Sequence, residues 1–128
     1  MPDCTIIKYK TINIVYTDVS SCSGDMAIPC FEKVQQIAST LPDKSMFSLV
    51  NARDTRFNSK LLSVIKETVK KNNPKVRATA VCGLSQLSAL MVNSIISITG
   101  RKMKLLDTLE EAKEWLYQEN LKEAQHLE

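Results

Sequence analysis

The chain has 128 residues, of which 44% are hydrophobic, 24% charged and only 5% aromatic, with a formal net charge of +3. That length and balance suit one domain with a core of Ile, Leu, Val, Met and Ala, and they exclude a disordered chain. The charge is uneven: residues 53–77 carry a net +6, residues 78–100 none, and residues 105–128 a net −5.

No basic start followed by a long apolar run opens the sequence, so no export signal is expected and the chain reads as cytoplasmic. The uncharged stretch Ala78–Gly100 is long enough to raise the question of a membrane span. Gly83, Ser85, Gln86, Ser88, Asn93, Ser94, Ser97 and Thr99 interrupt it, so the expectation is a strand and a buried helix, with no transmembrane segment. The cysteines at 4, 22, 30 and 82 show no C-x-x-C spacing and read as free thiols, with no metal site or cofactor expected. His126 is the only histidine, and Leu127-Glu128 reads as a cloning-tag remnant, leaving 1–126 as a single domain.

In chain order, Ile6, Ile7 and Tyr9 form a first β-rich run. Ile12, Ile14 and Tyr16 then alternate with Asn13, Val15 and Thr17, as in a strand with one face better buried. A small-residue loop over 20–25 precedes a helix from about Pro29 to Ser39, whose stripe is Phe31, Val34, Ile37 and Ala38. Met46 to Val50 reads as a buried strand. Asn58 or Ser59 caps a helix running to about Lys71, with Leu61, Leu62, Ile65, Thr68 and Val69 inward, and Asn72-Asn73-Pro74 ends it.

Ala78 to Cys82 is the next strand and Gly83 its turn. A helix over Leu84–Thr99 is expected to point Leu84, Leu87, Leu90, Met91, Ile95 and Ile98 inward, with Gly100 as a left-handed cap. Lys102 to Leu106 is a short strand, and Thr108 with Glu111 forms a capping box. The last helix buries Leu109, Ala112, Trp115 and Leu116 and is expected to fray beyond Asn120. The order β-β-α-β-α-β-α-β-α predicts an α/β domain with a mostly parallel sheet of four or five strands flanked by four helices.

Ala80-Val81-Cys82-Gly83-Leu84 and the run from Gly100-Arg101-Lys102-Met103-Lys104 through Trp115-Leu116, taken with this order, resemble the bacterial STAS-like family of SpoIIAA-like domains. The resemblance covers about residues 5–118. It implies the anti-sigma-factor-antagonist fold, a non-enzymatic role, and a ligand site similar to that of Sec14-type lipid carriers. In the regulatory members, a partner kinase phosphorylates a Ser or Thr in an Asp-Ser-Ser-Gly-like loop before the second helix. This chain has Asn51-Ala52-Arg53-Asp54-Thr55-Arg56-Phe57-Asn58-Ser59 there, without that string, and Thr55 and Ser59 are the positional candidates.

Ligands of parallel α/β sheets favour the carboxyl ends of the strands. Those ends supply Asp18, Ser20, Ser21, Asn51, Arg53, Asp54, Gly83, Ser85 and Asp107, with Asn58 beside them. Gly83 and Ser85 also open a helix, where backbone N–H groups can hold an anion, although Ser85 is equally an ordinary N-cap. No nucleophile–base pair, P-loop or dinucleotide fingerprint can be built, so no catalytic residue is assigned. The leading expectation is a non-catalytic module for protein–protein interaction, able to form a homodimer. The alternatives are a carrier or sensor of an apolar, lipid-like small molecule and, more weakly, a hydrolase using Asp18, Asp54 and Asp107. Sparse aromatics argue against a nucleic-acid partner.

Overall fold

The computed structural model describes residues 2–127, with side chains through Lys122. Lys10 and Thr11 separate β1 (Asp3–Tyr9) from β2 (Ile12–Asp18), and Lys10 takes a positive φ of 51° to close this hairpin. Then follow α1 (Gly24–Ala38), β3 (Met46–Asn51), α2 (Ser59–Asn72), β4 (Val76–Cys82), α3 (Gln86–Thr99), β5 (Met103–Leu106) and α4 (Leu109–Leu127). The five strands lie side by side in the order β1-β2-β3-β4-β5, with β1 antiparallel and every other pair parallel. The expected α/β architecture is therefore present, with five strands and four helices.

Both sheet faces are covered. On one, Ile12, Ile14, Phe47, Leu49, Ala78 and Ala80 pack against Ala112 and Leu116 of α4. On the other, Val15, Val34, Ala38 and Met46 form one cluster, and Val19, Ala27, Phe31 and Leu61 another, under α1 and α2. This double burial explains why β3 and β4 read as continuous apolar runs. It also buries Thr17, on the supposedly less buried face of β2, where its hydroxyl faces Cys4 Sγ at 3.7 Å.

Three expectations need correction. The first helix begins at Gly24, not Pro29, because Ser23 caps it: Met26 N donates to Ser23 Oγ at 3.4 Å. Pro29 then sits inside the helix on its exposed side, where the carbonyl deprived of a donor can turn to water. The last helix continues past Asn120 to Leu127, over residues that are mostly good helix formers. The expectations for His126 and for Leu127-Glu128 rest on side chains outside the described range.

The third correction concerns α3. Val92, Ile95 and Ser88 face inward, whereas Leu87, Leu90 and Ile98 are 69%, 67% and 60% exposed. A helix apolar all round gives its sequence no marker for which side meets the sheet. Its ends are as expected: Ser88 N donates to Ser85 Oγ at 3.1 Å, and Gly100 takes a left-handed φ of 69°.

Candidate functional site

At the carboxyl edge of the sheet the strand ladder extends into the loops. Val19 N donates to Asn51 O at 3.0 Å, Ala52 N to Cys82 O at 2.9 Å, Gly83 N to Leu106 O at 3.2 Å, and Ser21 N to Arg53 O at 2.8 Å. Ser21, Asp54 and Gly83 all adopt positive φ there, at 57°, 56° and 83°. For the two non-glycine residues this conformation stores strain, and such strain clusters at binding sites. Gly83 has a steric reason too, since a Cβ on it would lie 2.9 Å from Arg53 Cβ and 3.0 Å from Arg53 Cα.

These loops enclose a cleft of about 340 Å³ lined by Arg53, Asp54, Gly83, Leu84, Ser85 and Asp107, with Ala52, Thr55 and Ser88 at its base. Six of the residues singled out from sequence thus share one cleft: Arg53, Asp54, Thr55, Gly83, Ser85 and Asp107. Leu84 and Ser88 were missed, and only the position of Ser88 one turn after the Ser85 cap could have pointed to it.

Asp18, Ser20, Ser21, Asn51 and Asn58 lie outside the cleft. Asp18 Oδ1 accepts from Ser20 N at 3.0 Å and from Ser20 Oγ at 2.6 Å. Asn51 Nδ2 donates to Tyr16 Oη at 3.3 Å, and its Oδ1 accepts from Arg53 N at 3.3 Å. Ser21 serves through its backbone. Asn58 caps α2, accepting from Leu61 N at 2.8 Å, and packs so closely on Gly24 that a Cβ there would lie 2.5 Å from Asn58 Nδ2. Of the two phosphorylation candidates, Thr55 is buried and its hydroxyl donates to Val19 O at 2.8 Å, whereas Ser59 is exposed at the first turn of α2.

Of the three strand-end carboxylates, Asp54 and Asp107 line the cleft, while Asp18 accepts from Ser20 away from it. The four cysteines are free and buried, and burial raises the pKa of Cys4, Cys30 and Cys82, which keeps those thiols protonated. Among the described residues, no group of three His, Cys, Asp or Glu side chains could hold a metal ion. No helix among them is long and apolar enough to cross a membrane.

A second space lies between the sheet and its three-helix layer. This cavity of about 60 Å³ is lined by apolar side chains such as Phe31, Leu61, Val81, Val92 and Ile95, with Thr17, Thr68 and Arg101 among them. It lies beneath α3, where a carrier would need its pocket. Its volume is well below the roughly 150 Å³ that a benzene-binding cavity offers.

The sequence matches no protein-family model and no curated protein. Among solved structures, the chain is similar to an uncharacterised protein of the DUF3478 family with a SpoIIAA-like fold from Shewanella loihica PV-4. The TM-score is 0.69 at 10% identity, over 91% of this chain and 95% of that one. The architecture suspected from the Ala80–Leu84 and Gly100–Leu116 segments is thereby established: this chain has a SpoIIAA-like fold.

Proposed function

We propose that the chain is a non-catalytic protein-binding module whose docking face is the outer side of α3, and that the partner this face fits is a second copy of the chain. One observation carries the reading: Leu87, Leu90 and Ile98, each at least 60% exposed, fall within roughly 80° of one another around a helix of 3.6 residues per turn. Large exposed apolar side chains gathered on one face mark an interaction surface. Residues 86–99 also carry no charge, so the face can meet its own copy about a twofold axis without like-charge repulsion.

The magnitudes favour a weak dimer. Burying a large aliphatic side chain is worth ~1.5–3 kcal/mol, so the six in a symmetric pair, each about two-thirds exposed beforehand, contribute ~6–12 kcal/mol. Association costs ~4–15 kcal/mol. The most favourable balance, about 8 kcal/mol, corresponds to a Kd of about 1 μM, so dimerisation is expected between the micromolar and millimolar ranges. Sedimentation velocity across that range tests it: a reversible dimer is expected, and Leu87→Ser with Leu90→Ser returns it to a folded monomer. A monomer at every concentration overturns the proposal.

The cavity under Val92 and Ile95 favours a second reading, a carrier of a small apolar molecule. Native mass spectrometry of freshly purified protein would then reveal extra mass that leaves on denaturation. At about 60 Å³ the cavity must widen to accept anything of lipid size, so this reading ranks second.

A further inference from the structure

At the opposite, amino-terminal edge of the sheet, the ends of α2 and α3 and the start of β5 surround a cleft of about 510 Å³. This is the size of a small-molecule site. Its polar lining is Lys44, Asn73, Arg77, Arg101 and Lys102, with no carboxylate among the described lining residues. The described acids beside it are engaged: Glu119 Oε2 lies 3.0 Å from Lys102 Nζ, and Asp43 Oδ1 lies 3.2 Å from Lys75 Nζ. Arg77 lies over the Phe47 ring at 5.0 Å and donates to Asn120 Oδ1 at 3.2 Å.

Arg101 is the feature that ordinary surface charge does not account for. It is 8% exposed, yet its three hydrogen bonds run to neutral acceptors: Nε to Asn73 Oδ1 at 2.8 Å, Nη1 to Thr79 Oγ1 at 3.0 Å and Nη2 to Val69 O at 2.8 Å. A guanidinium has five N–H donors, so these bonds leave two unused. The Val69 carbonyl, at the negative end of α2, offsets part of the charge. No carboxylate pairs with Arg101 among the described residues, and a buried cation without a counter-charge is poorly compensated.

We propose that this cleft binds a small polyvalent oxyanion, of the phosphate or carboxylate class, held by Arg101 with Lys44 and Lys102. A planar guanidinium beside two ammonium groups suits an anion that presents several oxygens at once. The cleft lies at the opposite end of the strands from the Arg53–Asp107 cleft, and the inference does not depend on how α3 is used.

The experiment is isothermal titration with sodium pyrophosphate and, separately, with citrate, at constant ionic strength. Saturable one-to-one binding of at least one is expected, and the one preferred assigns the class. Lys44→Gln and Lys102→Gln should each weaken binding about two- to fivefold, the worth of one exposed charge contact. Lys70→Gln, on the exposed side of α2, should leave it unchanged. No saturable binding of either anion, or equal weakening by Lys70→Gln, overturns the proposal. Lys44 is exposed and its variant folds whether or not Arg101 tolerates change. Lys102→Gln also removes the partner of the buried Glu119 carboxylate, so a thermal melt accompanies its titration and Lys44→Gln alone decides if that variant is unfolded.

Discussion

The Tyr9 hydroxyl donates to Glu114 Oε2 at 2.7 Å, joining the end of β1 to α4 across 105 residues of sequence. Lys10 Nζ lies 2.9 Å from the same oxygen and 4.6 Å from the centre of the Tyr117 ring, so one carboxylate pins the hairpin to the helix. The Tyr9 hydrogen bond, then those of Lys10 and Gln118, lower the Glu114 pKa from 4.5 to about 2. The folded state thus binds this proton less tightly than the unfolded chain. The stabilisation is fully present above 4.5 and is lost as pH falls toward about 2. Tyr9→Phe should raise the Glu114 pKa and flatten this acid limb while leaving the neutral-pH fold intact. Carboxyl-carbon NMR titration and urea midpoints measured through the acid range check both.

Arg101 ties three elements together through Asn73, Thr79 and Val69, and burial lowers its pKa to about 10, still charged at neutral pH. Arg101→Lys keeps the charge but cannot reproduce the fork, so buried acceptors lose their donors. A loss of ~2–4 kcal/mol in unfolding free energy is expected. A change within ~0.5 kcal/mol, the ordinary surface value, would show that the guanidinium bonds contribute little.

The two glycines with positive φ make a matched pair. Gly100 at φ 69° has nothing within 4 Å of an added Cβ, while Gly83 at φ 83° would bring its Cβ onto Arg53. Gly100→Ala should cost about 1–2 kcal/mol, the left-handed penalty alone. Gly83→Ala adds displacement of the Arg53 backbone and should cost more. It should also perturb the amide resonances of Arg53, Asp54 and Ser21, which Gly100→Ala leaves in place. Equal costs would mean that the loop yields freely.

Ser59 and Thr55 separate in the same way. A negative charge at Ser59 meets the amino end of α2, so Ser59→Glu should be neutral or stabilise by ~0.3–1 kcal/mol at low salt. Thr55→Glu would bury a carboxylate where the hydroxyl now donates to Val19 O, and should unfold the domain. Thermal melts of the two variants decide it. Destabilisation by Ser59→Glu would sink the idea that this helix start accepts a phosphate without cost.

What the sequence made legible depended on contrast between faces. The α2 and α4 stripes stood out because lysines and glutamates occupied the other sides, and Asn58, Ser85, Thr108 and Gly100 marked helix ends chemically. The Arg53–Asp107 cleft was legible because strand ends converge in any parallel sheet. Arg101 was not, for in the sequence it is one cation beside Lys102 and Lys104, with nothing to mark it for burial. Its burial comes from the Gly100 turn, which brings it under α2. The cleft it forms with Lys44 and Arg77 joins residues from three separate loops and strands, a proximity that no local pattern encodes.

The orientation of α3 was the point where the sequence had no contrast to offer, and it yields the sharpest test of the fold. Ile95 is 5% exposed, whereas Leu90, five positions earlier, is 67% exposed. Ile95→Ala should therefore cost ~2–5 kcal/mol through lost burial and a new void beside the existing cavity. Leu90→Ala should change monomer stability by no more than ~0.5 kcal/mol, the ordinary surface range. If α3 were instead turned as its leucines alone suggest, the two costs would exchange. Denaturant midpoints measured at a concentration low enough to keep the chain monomeric separate the cases. Repeating them at high concentration brings in the docking face: only there should Leu90→Ala lose stability, because association adds to the apparent stability of the wild type and not of the variant.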